Sequence, residues 1–153
     1  MVATVSTLHT PAQEIERLHA LHHQQLEEFR AAPMPDAAVR VGNLRKLKAA
    51  LIQQQDSLVK AVNEDFSCRA EGDTLIAEIM TTVQALNYMI KNVRKWMRPS
   101  GRHVNMLFAP ASNEVVYQPL GVIGIMVPWN YPIQLALVPI ATCLLYTSDA
   151  ADE

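Results

Sequence analysis

The chain has 153 residues, 50% of them apolar and 18% charged, which is enough for one packed domain and lean in charge for a fully solvated surface. Its formal net charge of −2 offers nothing to nucleic acid or an anionic membrane, and its two cysteines, Cys68 and Cys143, do not make a disulfide framework. No apolar run reaches the length of a membrane span, and no basic segment followed by an apolar core opens the chain, so a cytoplasmic protein is expected.

Residues 1–9 have no period and read as a flexible lead. Thr10-Pro11-Ala12-Gln13 is a helix start, with Thr10 as N-cap, Pro11 at the first helical position and Gln13 reaching back. Ile15, Leu18, His22, Leu26 and Phe29 follow on one helical face, and Pro33 and Pro35 end the helix. His19 and His23 are four apart on that helix. No cysteine or carboxylate completes a ligand set with them, so no metal site is expected. Asp36 caps a second helix whose buried stripe is Leu44, Leu47, Leu51, Leu58, Val62 and Phe66. Arg40, Arg45, Lys46, Lys48 and Lys60 read as its solvated faces. Residues 63–73 are polar and read as a turn, in which Cys68 is an inert thiol.

A third helix has the strongest period: Ile76, Ile79, Met80, Val83, Leu86, Ile90, Val93 and Met97 step by three and four. Acidic residues precede it and Arg94, Lys95 and Arg98 close it, which suits the helix dipole. Glu78 falls on its flank and reads as structural, and Pro99-Ser100-Gly101 ends it. Residues 112–118 alternate around Val116 and Tyr117 and predict a strand.

Residues 118–132 read QPLGVIGIMVPWNYP. Unbroken apolar character through Val122, Ile123, Ile125, Met126 and Val127 predicts a strand buried on both faces. Gly121 and Gly124 predict a close approach to its backbone. Pro128 and Pro132 bracket a stiff turn that holds Trp129 and Asn130 at the strand's carboxyl end, where open α/β sheets bind ligands. Residues 133–141 are apolar nearly all round and predict a buried helix that Pro139 kinks or breaks. Strand, turn and helix form the opening of a dinucleotide-binding unit, although no G-x-G-x-x-G is present. On these residues alone, Asn130 is a helix cap.

The stretch QPLGVIGIMVPWNYP resembles the aldehyde dehydrogenase superfamily. Asn63-Glu64-Asp65-Phe66, Ala77-Glu78-Ile79 and Arg94-Lys95-Trp96-Met97 add to the likeness, which is nearest to the coniferyl aldehyde dehydrogenase branch. The resemblance runs from about residue 40 to 141 and covers the amino-terminal part of such an enzyme. It implies an α/β fold: three helices leading into the first strand and helix of an incomplete Rossmann-like NAD-binding domain over 10–141. It implies NAD or NADP as cofactor, a small aldehyde of aromatic type as substrate, and a homodimer or homotetramer built partly on residues 112–118. Asn130 matches the amide that stabilises an oxyanion when a thiolate attacks the aldehyde. Met126, Val127, Pro128 and Trp129 match the wall beside the nicotinamide. The cysteine nucleophile, glutamate base and cofactor-gripping lysine of the family lie downstream, so this stretch alone is expected to be inactive.

Beyond Ala141 the family pattern gives way to Cys143-Leu144-Leu145-Tyr146-Thr147-Ser148-Asp149-Ala150-Ala151-Asp152-Glu153. That ending looks like translated adapter sequence, so residues 142–153 are expected to be a non-native tail; a short acidic terminus is the other reading. Two other functions fit the residues less closely. One is a non-catalytic helical interaction module, and the other is a different NAD enzyme that shares only the turn motif.

Overall fold

The computed structural model describes residues 10–145; the expected flexible lead over 1–9 and the part of the expected tail over 146–153 lie outside them. The chain forms two compact units, Met1–Pro33 and Met34–Glu153. In the first, α1 (Pro11–Ala31) starts with the full reciprocal cap. The Gln13 N–H donates to the Thr10 hydroxyl at 3.4 Å, and the Thr10 N–H donates to Gln13 Oε1 at 2.9 Å. No residue of α1 is buried, and Ile15 and Leu18 are exposed. Among the described residues no group of three or more His, Cys, Asp or Glu side chains could hold a metal ion.

The second unit begins at Asp36, whose Oδ1 accepts the Val39 N–H at 2.8 Å and caps α2 (Ala37–Phe66). Asp36→Ala is expected to cost about 1 kcal/mol, read as a lower urea midpoint at unchanged slope. Leu44, Leu51 and Val62 are buried as the period requires, with Leu47, Leu58 and Phe66 partly covered. The helix runs further than the expected turn over 63–73 allows, and it closes on Ser67 in the left-handed region at φ 60°. The cause is packing: Val62 is buried, and Asn63 Oδ1 accepts the Thr74 hydroxyl at 2.9 Å, tying the last turn to the next helix. Arg40 also departs from expectation. It is 2% exposed rather than solvated, because carbonyls elsewhere in the fold receive its guanidinium.

The third helix is continuous but not uniform. It passes from α3 (Glu71–Thr74) through a π-helical turn (Leu75–Met80) into α4 (Thr81–Trp96). A π turn takes in one extra residue per turn and leaves carbonyls short of their usual partners. Two threonines compensate: the Thr81 hydroxyl donates to the Ala77 carbonyl and the Thr82 hydroxyl to the Glu78 carbonyl, each at 2.6 Å. The wider turn resets the phase of the apolar stripe. Ile79, Leu86 and Val93 are buried as expected and Met89 joins them, whereas Ile76 and Met80 are exposed.

A short antiparallel hairpin follows. β1 (Ser100–Arg102) pairs with β2 (Asn113–Val115), with Ser100 opposite Val115 and Arg102 opposite Asn113. Of the expected strand over 112–118 only Asn113–Val115 forms, without Val116 and Tyr117, and its partner is the segment read as a helix end. Residues 121–127 form no strand and are not buried on both faces. Ile123, Met126 and Val127 are exposed, and the two-stranded β1–β2 sheet is the only sheet among the described residues. An apolar run of this kind needs strands on both edges to become a ladder, and among the described residues none pairs with it. Gly121 takes φ 108°, a value that suits glycine, but a Cβ added at Gly124 would meet nothing within 4 Å, so the expected close approach is absent there.

The last element, α5 (Pro132–Leu145), runs through Pro139 without a break. It is buried on one face only, through Ile133, Ala141 and Leu145, while Ile140 and Leu144 are exposed. That face packs on α2, α4 and the π turn, and the core of the unit lies between them.

Candidate functional site

The bracketed turn ends where α5 begins. Pro132 occupies the first helical position, where a missing N–H costs nothing. The next two donors need a partner, and a carboxylate from the π turn supplies it. Glu78 Oε2 accepts the Ile133 N–H at 2.7 Å and the Gln134 N–H at 3.4 Å. Glu78 is wholly buried, so a full negative charge sits against the positive end of α5 inside the protein. The flank position read from the sequence is thus an interior one. The cap role read for Asn130 is filled by Glu78, and Asn130 stands exposed.

A buried carboxylate requires a counter-charge. Arg69, in the turn after α2, provides it with a side chain 11% exposed and Nη1 3.1 Å from Glu78 Oε1. The contact is an ion pair rather than a hydrogen bond, since Oε1 has no partner in hydrogen-bond alignment. Arg69 Nη1 donates instead to the backbone carbonyl of Asn130 at 3.0 Å. The guanidinium lies over two aromatic faces, 5.0 Å from the Phe66 centroid and 4.8 Å from that of Tyr131. Phe66 in turn faces Trp129, with ring centroids 6.1 Å apart. Residues 129–132 are therefore gripped from α2, from the following turn and from the π turn.

Sequence reasoning missed Arg69. Its only local hint is its place three residues after Phe66; the partners that define it lie far along the chain. An open cavity of about 540 Å³ adjoins this grip and is bordered by Phe66, Arg69, Asp73, Asn130 and Tyr131. Of the residues matched to a nicotinamide wall, Met126 is 99% and Trp129 79% exposed, and Val127 and Pro128 are exposed beside them. They form bare apolar surface on the approach to Asn130.

The other end of α5 is held by the opposite charge. Arg40 Nη1 donates to the Leu145 carbonyl at 2.5 Å and Nε to the Pro35 carbonyl at 2.9 Å. A buried carboxylate at one end and a buried guanidinium at the other both complement the dipole of this helix.

Cys143 on α5 is partly buried, and burial pushes its thiol pKa upward. A raised pKa depletes the thiolate, which is the reactive form. Iodoacetamide at neutral pH is expected to label exposed Cys68 well before Cys143, followed by peptide mass spectrometry.

The aldehyde dehydrogenase family model matches residues 3–148. The chain is 46% identical over 144 residues to the "Probable coniferyl aldehyde dehydrogenase" of Pseudomonas aeruginosa, covering 94% of this chain and 30% of that protein. It is 37% identical over 103 residues to the "Coniferyl aldehyde dehydrogenase" of a Pseudomonas species, covering 67% of this chain and 21% of that one. In structure it is similar to Staphylococcus aureus AldH in a substrate-bound state, with a TM-score of 0.79 and 19% identity over 84% of this chain and 28% of that one. The chain thus spans less than a third of the length of these relatives.

Proposed function

Because this chain belongs to the aldehyde dehydrogenase family, we propose that it is the amino-terminal part of an NAD(P)-dependent enzyme oxidising an aromatic aldehyde of coniferyl type to its acid. The observation that carries this reading is the clamped turn: Asn130 stands exposed at a cavity while Arg69 holds its carbonyl and Glu78 holds the Ile133 N–H that follows. When a thiolate adds to an aldehyde, the carbonyl oxygen gains charge. A side-chain amide fixed in advance offsets that charge without reorganising. Asn130 is the donor in this reading.

The exposed apolar surface of Met126, Val127, Pro128 and Trp129 suits one face of a flat nicotinamide ring. Bound NAD(P) would supply the hydride acceptor; these residues would wall its ring and keep water from it. The apolar, largely uncovered segment 121–127 supports a place in a larger parallel, Rossmann-like sheet, since such a run is normally covered on both faces. Residues 112–118 are read as an oligomerisation strand of a homodimer or homotetramer.

The test is spectrophotometric. Full-length enzyme carrying this stretch is expected to form NADH or NADPH with coniferyl aldehyde, and the 153-residue chain alone is expected to form none. Absence of reduced nicotinamide from the full-length enzyme with any aromatic aldehyde would sink the proposal.

A further inference from the structure

The geometry points to Arg69 as a positioning residue that sets Asn130 for catalysis, working through backbone rather than through substrate. This inference rests on the oxyanion role proposed for Asn130. Three contacts of one guanidinium carry it. Arg69 Nη1 donates to the Asn130 carbonyl at 3.0 Å, which fixes the peptide plane that follows the amide-bearing Cα. The same nitrogen lies 3.1 Å from Glu78, whose other oxygen accepts the Ile133 N–H at 2.7 Å. The cation lies over both the Phe66 and the Tyr131 ring, with centroids 5.0 and 4.8 Å away, which limits its freedom to turn. The backbone is thus fixed at Asn130 by Arg69 and at Ile133 by Glu78.

Lysine at this position keeps the charge opposite Glu78. It lacks the planar fork that donates to one carbonyl while stacking on two rings. Arg69→Lys is therefore expected to retain the fold and loosen the turn. A small misplacement of a catalytic donor is costly, up to roughly a hundredfold in rate. In the full-length enzyme, assayed with coniferyl aldehyde and NAD, Arg69→Lys should lower kcat roughly ten- to a hundredfold and leave the KM for NAD within about twofold. Glu78→Gln, which keeps an acceptor for Ile133 but releases Arg69, should lower kcat in the same direction and by less.

The deciding measurement is the double variant. If Arg69 acts through Asn130, Arg69→Lys should change kcat less than about twofold once Asn130→Ala is present, because the donor it positions is gone. Losses that simply add in the double variant overturn the positioning role, as does unchanged kcat in both Arg69→Lys and Glu78→Gln while Asn130→Ala is impaired. Unchanged turnover in Asn130→Ala itself overturns the oxyanion reading instead. Failure of both conservative variants to melt cooperatively also overturns the positioning role, since the pair would then serve the fold alone.

Discussion

Glu78→Ala is expected to remove about 3–5 kcal/mol of folding stability, measured by urea denaturation. The figure follows from what is left behind rather than from what the ion pair contributes. Glu78 is fully buried and Arg69 nearly so. Deleting the carboxylate leaves a largely buried guanidinium without its counter-charge, and it also uncaps α5 by leaving the Ile133 N–H without its acceptor. Either loss alone is serious in a fold whose total stability is about 5–15 kcal/mol. Glu78→Gln is the milder change, since an amide oxygen still accepts from Ile133 while the charge is lost. A loss under about 1 kcal/mol for Glu78→Ala would show that water or backbone movement replaces the carboxylate.

Asn130→Ala carries the second large effect, and it falls on turnover rather than on folding. In the full-length enzyme kcat is expected to fall roughly 10²–10³-fold, the usual consequence of losing one oxyanion donor. Stability should stay within about 0.5 kcal/mol, because the side chain is exposed and the helix donors are served by Glu78. The two readouts together separate the possible roles of this asparagine. A cap lost from α5 would lower the melting temperature by the equivalent of about 1 kcal/mol and leave turnover alone. Reduced turnover at unchanged stability belongs to a group that meets the reacting oxygen. Equal turnover in Asn130→Ala and the parent enzyme would remove it from the mechanism.

The features legible in the sequence are those whose partners are near in the chain. The caps at Thr10 and Asp36 each join residues three apart, so residue identity and spacing suffice to place them. The Pro-Trp-Asn-Tyr-Pro turn is legible for the same reason, since prolines constrain their own backbone. The sequence reads Arg40 as a solvated side chain and Glu78 as a flanking one, because charge is normally exposed. Their burial depends on Leu145 and on Ile133, the latter 55 positions away. No local pattern encodes such pairs. Arg69 is the same case, defined by Glu78, Asn130 and Tyr131 together. The stripe of the third helix failed at Ile76 and Met80 because a fixed period assumes a uniform helix. The adjacent Thr81 and Thr82, with hydroxyls turned back on the preceding carbonyls, were the available mark of the irregularity. The composition of the run through Val122, Ile123, Ile125, Met126 and Val127 predicts a covered strand, and composition describes the environment a segment suits rather than the neighbours it has.

The π turn at Leu75–Met80 makes segment length as consequential as residue identity. Excising one position from it would let the helix relax to ordinary winding, and each residue is worth about 100° of rotation. Glu78 would then swing off the start of α5 while every side chain around Asn130 kept its identity. A frame-preserving loss of a single codon here would disarm the site, although an inventory of its functional residues would find none missing.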